Sequence, residues 1–414
     1  MSLNENAKKY IAQKVQEARE KNILDKIGGG SIEGPSYHLS CVDRKPMNVE
    51  PGRTKVRWII AHFPLDLFIR TARAFAEELE KSCPGKFAIE VHTIGSYLQL
   101  YGDKVLPDTL DLWKKTSVSI PGLENPYNTL ANLGSIQPEK AETVKEFTQL
   151  LSWWENFFNH MKNGHFELSQ TQINICGSHL HPDFHAIDLP YLFENHDHVT
   201  ETLDGPIGQR VSDSARELTG INALGYTYSG GYRIIGSTDE ITCLNDLSDK
   251  KFISFTKPSS KFFEFAKVNH IPRYLSTAED VGDMAENGGA IETTYLRFFG
   301  KHVLKTNHSM FMTAILGNQS FIDSLSIDEQ LAFKEAAMTV ARLERVWSLQ
   351  DAAKWEADAK GRGVTIHNIS EADDSRLRQA AKKVYDEQIL EGIDVDPTLV
   401  EDIIKLGKKY YNKK

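Results

Sequence analysis

The sequence predicts an α/β chain, and three observations carry that prediction. Residues 55–94 read as strand, helix, strand at the spacing of a βαβ unit. The same alternation of short apolar runs with amphipathic stretches resumes after residue 164. A single apolar stripe then runs through residues 326–360, too long for a strand and regular enough for one helix.

Composition narrows the function classes. Of the 414 residues, 40% are hydrophobic and 25% charged, the balance of a globular chain. The 48 Lys and Arg against 57 Asp and Glu give a net charge of −9. That sign argues against general nucleic-acid binding, which needs basic surface to displace phosphate counterions. No apolar run approaches the roughly 20 residues that cross a bilayer, so the chain is not expected to span a membrane. Cys41, Cys83, Cys176 and Cys243 form no CxxC pair and suit neither a disulfide framework nor a structural zinc site. Residues 1–22 carry neither the apolar core nor the cleavage site of a secretory leader, which leaves cytoplasmic placement open.

The elements follow in order. Tyr10, Ile11, Val15 and Ala18 have helical spacing and predict a short arm helix, followed by an irregular stretch to Gly52. Residues 55–63 predict a buried strand. Phe68, Ala72, Phe75, Ala76 and Leu79 share one helix face, stopped by Pro84-Gly85. Phe87, Ile89 and Val91 alternate as a strand, and parallel pairing with the first is implied. Residues 96–164, punctuated by Pro and Gly and rich in aromatic residues, read as an insertion packed on the main fold. Strands are expected at 166–176, 186–192, 222–228, 232–237 and 251–255, with a helix over 198–218. Ser276 with Glu279, and Ser326 with Glu329, are capping boxes opening helices. In the second of these, Ala336, Val340, Leu343 and Trp347 form the stripe. A late strand at 364–369 and C-terminal helices complete the chain.

Chemistry-bearing patterns are few. His179, His181, His185, His196 and His198 are dense enough to suggest zinc, but His181 precedes Pro182 in a loop and no HExxH motif exists. A polar loop is the expected reading, so no metal is assigned. Ser229 lacks the preceding glycine of a nucleophile elbow, and Gly28–Gly30 follows a helix rather than a strand. No catalytic residue and no cofactor are assigned. Arg233, just after Gly230-Gly231 and at a strand start, offers a bidentate fork to a carboxylate. A ligand anchor and a structural ion pair both fit it.

Residues 188–211, DLPYLFENHDHVTETLDGPIGQRV, resemble the DctP-type substrate-binding proteins of tripartite ATP-independent periplasmic (TRAP) transporters, whose pattern is LPFLF, a helix and a DGPIG-like turn. The resemblance continues through GYTYSGGYRIIGS at 225–237, LNDLSDKKF at 244–252, GGAIETT at 288–294 and SLSIDEQLAFKEAA at 324–337. It implies a two-lobed, periplasmic-binding-protein-like α/β fold with a ligand cleft between lobes and a long helix bracing both. The implied division is an arm at 1–54, a first lobe at 55–230, a second lobe at 231–318, the long helix and return strand at 319–369, and C-terminal helices at 370–414.

The resemblance also implies function: capture of a small organic ligand, an organic acid or polar metabolite, by hinge closure, and delivery to TRAP membrane subunits in the periplasm. Arg233 takes the position of a family arginine that contacts carboxylate. The principal family arginine aligns with Ile253, and the asparagine of the family's E-N-P turn with Thr293, after a retained Glu292. The polar pocket position of the first lobe falls at residues 170–172. The implied site is therefore Arg233 as anchor, Gln172 and Thr293 as hydrogen-bonding groups, and Glu292 orienting neighbours. Either Lys251 or Lys257 is a substitute charge, or the ligand is less acidic and Tyr232, Tyr295 or Phe255 pack on it. Two rivals stay open on the sequence: a cytoplasmic sensor module not coupled to transport, and a metal-dependent enzyme using the histidine-rich loop.

Overall fold

The computed structural model describes residues 39–41, 51–61, 65–93, 157–237, 239–248, 250, 252–254, 257–272, 284–288, 302–361, 363–387 and 394–410. The expected arm helix, the Ser276 capping box and most of the 96–164 insertion lie outside them.

The first strands form where apolar side chains alternate. β1 (Leu39–Cys41), β2 (Thr54–Ile60) and β3 (Phe87–Thr93) run parallel, with β3 between the other two. β2 and β3 are joined through α1 (Leu65–Ser82), the expected crossover. The five residues read as one face of α1 are all buried. Trp58 meets Phe75 edge to face at 5.2 Å, and Phe75 meets Phe333 at 5.6 Å. Each fully buried Phe or Leu here contributes about 1.5–3 kcal/mol.

β4 (Leu168–Gln172) adds parallel to β2 and is shorter than the expected strand. Residues 173–179 form α2 (Ile173–His179) instead, and the strand expected at 186–192 does not form: a 3-10 turn, Pro182–Ile187, runs into its start and irregular chain follows. The apolar residues that suggested strands are core contacts of these short turns: Ile173, Cys176, Phe184 and Ile187 are buried. Gly205 divides the expected helix over 198–218 into α3 (His196–Asp204) and α4 (Pro206–Thr219). The DGPIG turn has a packing reason. A Cβ on Gly208 would lie 2.1 Å from the Leu203 carbonyl oxygen, and the Gly208 carbonyl accepts from Tyr226 Oη at 2.7 Å.

β5 (Ile221–Ser237) is one strand of 17 residues where two were expected. Gly230 and Gly231 read as a break, yet the strand passes through them, both with φ +83°. Its first part pairs antiparallel with β10 (Met310–Asn318), which pairs on its other side with β4. Its last part pairs antiparallel with β8 (Met284–Gly288) and β9 (His302–Lys305). β6 (Phe252–Ser254) lies parallel to β8 and to β7 (Ile271–Pro272), with α5 (Lys257–Phe265) between β6 and β7 in sequence. β5 thus runs continuously through residue 230, the expected boundary between lobes.

After α6 (Gln319–Asp323), the long helix α7 (Ile327–Gly361) begins at the expected capping box: Ser326 N–H donates to Glu329 Oε2 at 2.9 Å, and Glu329 N–H to Ser326 Oγ at 3.4 Å. Its buried stripe differs in one respect from expectation. Ala336 and Val340 are buried, but Leu343 is 38% exposed and Glu344, Arg345 and Ser348 take the inner positions. α7 lies directly on β5, where Gly225 leaves room: a Cβ there would stand 2.9 Å from Ala341 Cβ. β11 (Thr365–Asn368) then pairs parallel with β9, followed by α8 (Glu371–Glu387) and α9 (Pro397–Gly407).

Candidate functional site

In open α/β sheets ligands gather at the carboxyl ends of parallel strands. Here those ends are Ile60, Thr93 and Gln172, level with the Ala61 N–H that donates to the Gln170 carbonyl at 2.9 Å. β5 leaves this region through Gly230, whose N–H donates to Ser348 Oγ of α7 at 2.7 Å. Three residues further on is Arg233.

Arg233 is 2% exposed. Its Nη1 stands 3.5 Å from Glu286 Oε2 of β8, and its guanidinium lies over the Phe311 ring at 4.3 Å. Its own N–H donates to the Ser309 carbonyl at 2.8 Å, which fixes the strand against the approach to β10. His308, fully buried, joins Glu286 Oε2 through Nε2 at 2.9 Å and Thr306 Oγ1 through Nδ1 at 2.8 Å. Phe262 stacks on its ring at 5.6 Å. Of the two readings of Arg233, the structural ion pair is present, with Glu286 as its partner.

A turn from the first lobe closes on this group. Asp188 caps the 3-10 turn and is buried; burial pushes its carboxyl up to about 7, with Arg233 pulling it down and Glu286 pushing it further up. Tyr191, at φ +53°, donates its N–H to the His308 carbonyl at 2.5 Å and its hydroxyl to the Thr306 carbonyl at 2.8 Å. Tyr385 of α8 donates to the Pro190 carbonyl, and Arg378 lies 4.6 Å over the Tyr191 ring.

The lobe-one side carries a second buried polar network. Gln170 Nε2 donates to Glu344 Oε2 at 2.7 Å and to Thr227 Oγ1 at 3.0 Å, and the Thr227 and Thr313 hydroxyls bond each other. Burial pushes Glu344 up to about 8, against hydrogen bonds from Gln170, Thr71 and Thr227 and the charge of Arg70. On the lobe-two side, Ser254 and Ser260 share a buried hydroxyl–hydroxyl bond of 2.7 Å where β6 turns into α5.

The expected site residues separate into three groups. Arg233 and Gln172 lie on the two sub-sheets, Gln172 at the end of β4 opposite Thr313 in the register. Tyr232 alternates away from Arg233, as neighbours on a strand must; its ring is 5.6 Å from His196. The backbone of Ile253 pairs with Ala285, one residue from Glu286, and Lys257 opens α5. Thr293, Glu292 and Tyr295 lie outside the described residues. The acid beside Arg233 is Glu286, which the sequence reading missed along with His308 and Asp188. No spacing links these residues; the pairing of β5 with β8 brings Glu286 to Arg233, and loop hydrogen bonds bring in the other two.

The histidine-rich stretch spreads over α2, the 3-10 turn and α3. His198 uses Nε2 on the Ile403 carbonyl at 3.0 Å and Nδ1 on the Glu194 N–H at 3.2 Å, and His181 Nδ1 takes the Asp183 N–H. No group of three or more His, Cys, Asp or Glu poised for a metal occurs among the described residues. A groove of about 540 Å³ between α4 and the first half of α7 is lined by Gln209, Asn222, Ile327 and Leu331 and contains none of the expected site residues.

With this geometry in place, comparison with known proteins is decisive for the family. Residues 149–391 match the bacterial extracellular solute-binding protein, family 7 (DctP), and the chain belongs to that family. A solute-binding protein of Verminephrobacter eiseniae is 28% identical over 199 residues, 46% of this chain and 59% of that protein. The C4-dicarboxylate-binding periplasmic protein DctP of Rhodobacter capsulatus is 24% identical over 217 residues, 50% of this chain and 63% of that protein. The matched stretch thus spans less than two thirds of these relatives' length.

Among solved structures, the sugar acid binding protein DctPAm of Advenella mimigardefordensis, in complex with galactonate, has a TM-score of 0.63 at 20% identity, covering 87% of this chain and 99% of that one. A TRAP periplasmic solute binding protein of Pseudomonas putida F1 with bound D-glucuronate has a TM-score of 0.60 at 17% identity, covering 84% and 96%. The two-lobed α/β fold is that of these proteins. No helix among the described residues is long and apolar enough to cross a membrane.

Proposed function

We propose that the protein captures a small organic anion between its lobes outside the cytoplasm and presents it to the membrane subunits of a TRAP-type transporter, without chemistry on the ligand. The observation that carries the reading is Arg233: a buried guanidinium just past the Gly230-Gly231 crossing of the strand that both lobes share. A bidentate donor at that crossing can hold a carboxylate only when both walls are in place, which is how hinge closure couples to binding. Gln172, Thr293, Glu292, Lys257 and Tyr295 are proposed to complete the polar lining, with Tyr232 supporting the wall from behind.

Support for the ligand class comes from relatives described as binding a C4-dicarboxylate and crystallised with galactonate and D-glucuronate. The family's principal arginine is taken to align with Ile253, so the single guanidinium of Arg233 is proposed to carry the anion. A ligand bearing one carboxylate and several hydroxyls fits that supply better than a dicarboxylate.

The test is native mass spectrometry of the freshly purified protein, followed by thermal-shift titration with galactonate, D-glucuronate, L-gulonate and C4-dicarboxylates. Saturable stabilisation by an organic acid is expected, weakened at least about tenfold (~1.4 kcal/mol) in Arg233→Lys, which keeps the charge and loses the fork. A bare mass with no stabilisation by any acid would count against capture. Undiminished affinity in Arg233→Lys would remove the arginine from the site.

A further inference from the structure

Asp188 and Arg233 come from different parts of the chain and meet in one buried cluster. Asp188 is 4% exposed and Arg233 2% exposed. Asp188 Oδ2 and Arg233 Nε are both buried atoms with no hydrogen-bond partner among the described residues, an acceptor and a donor left over in the same cluster. The 188–191 turn is fastened to the residues that hold Arg233: Tyr191 N–H to the His308 carbonyl at 2.5 Å, and Arg233 N–H to the Ser309 carbonyl at 2.8 Å. Glu286 bridges Arg233 at 3.5 Å and His308 at 2.9 Å.

We propose that Asp188 is a positioning residue for Arg233, and that its proton makes ligand capture pH-dependent. With Asp188 neutral, the guanidinium answers to Glu286 and to an incoming anion. With Asp188 ionised, a second carboxylate competes for it from inside the fold.

The charge balance gives the direction. Arg233 and Glu286 cancel, so an ionised Asp188 leaves the buried cluster net negative, which a low-dielectric site resists. Burial accordingly raises the Asp188 carboxyl to about 7, with Arg233 lowering it and Glu286 raising it. The other groups facing this turn include His308 from the approach to β10, Arg378, Asp374 and Tyr385 from α8, and Tyr191 and His185 of its own segment. A ligand anion adds another negative charge beside Arg233 and favours protonated Asp188 further, so binding takes up a proton. Affinity then falls as pH rises through the Asp188 transition, by up to about tenfold per pH unit above it.

This rests on the reading of organic-anion capture, and the experiment separates the two. On the full chain with ¹³C-labelled aspartate carboxyls, Asp188, assigned by its loss in Asp188→Asn, is expected to titrate near neutrality. It should move upward in Arg233→Gln and downward in Glu286→Gln. Titration of wild-type Asp188 in the ordinary carboxylate range, which needs no folded variant, overturns the coupling, as does an unmoved transition in both variants. Calorimetric titration with D-glucuronate and galactonate at pH 6 and pH 8.5 reads the consequence. Weaker binding at pH 8.5 in wild type, flattened in Asp188→Asn, supports the proposal. Equal affinity at both pH values overturns it while leaving capture intact. If neither acid binds at either pH, the pH-dependent capture of these acids falls, and the carboxyl titration still decides whether Asp188 answers to Arg233.

Discussion

Arg233 and Glu344 are two buried ionisable side chains that meet the cost of burial differently. Arg233 keeps its charge and brings a counter-charge, Glu286, with it. Removing one partner of such a pair strands the other and costs about 3–5 kcal/mol, so Arg233→Ala confounds folding with binding and Arg233→Lys is the better probe. Glu344 gives up its charge instead, pushed to about 8 by burial. As a neutral acid bonded to Gln170, it is nearly isosteric with glutamine. Glu344→Gln should therefore change stability at pH 7 by less than about 1 kcal/mol, whereas Glu344→Ala leaves Gln170 short of a partner and opens space, costing about 2–4 kcal/mol. Urea denaturation of both variants at pH 7 checks this. A large loss in Glu344→Gln would mean that the carboxylate, not the acid, is the native form.

At the scale of elements, the close contact of α7 with β5 yields a sharper test. A Cβ on Gly225 would stand 2.9 Å from Ala341 Cβ and 3.1 Å from the Ala337 carbonyl oxygen, and a helix backbone cannot yield as a flexible side chain does. Gly225→Ala is expected to destabilise by about 1–3 kcal/mol. Adding Ala341→Gly removes the nearer obstruction and should make the double variant more stable than the sum of the two single changes predicts, a coupling read by a double-mutant cycle. Strict additivity would show that the helix shifts freely.

The same elements show what the sequence disclosed. β2, α1 and β3 were legible because their apolar residues recur at strand and helix periods, and α7 because Ser326 and Glu329 mark its start. β5 was read as two strands because glycine pairs ordinarily signal turns, yet both glycines take φ +83° within a continuing strand. Residues 173–176 were read as the end of a strand because Ile173 and Ile175 suit a sheet locally, while packing turns them into a helix. The candidate site was legible only at Arg233 and at residues 170–172. Glu286, His308 and Asp188 carry no mutual spacing: the β5–β8 pairing brings in Glu286, and the 188–191 turn joins through the Tyr191 N–H on the His308 carbonyl.

The whole molecule sums these local choices into a pH profile. Asp188 and Glu344 have folded-state values of about 7 and about 8, above the ordinary carboxylate range near 4. The native state therefore holds two protons that the unfolded chain has released, and stability falls as pH rises toward those values. His196 and His198 are pushed down by burial, so the stability they contribute is lost as pH falls below about 6.5, where the unfolded imidazole charges first. Between about pH 5 and 6.5 the two pairs oppose each other. Above that window only the acids act, until Glu344 has ionised. Below it, carboxylates held down by partners, such as Asp246 by Thr242 and Asp396 by Thr398, lose their native bonds on protonation. The melting temperature should therefore be highest in about pH 5–6.5 and decline toward pH 8. The Asp188→Asn, Glu344→Gln double variant should lack most of the alkaline decline while keeping the acid one, as scanning calorimetry from pH 3 to 9 would read. An alkaline limb of unchanged slope in that variant would place its cause outside these two carboxyls and return both to the ordinary ionised state.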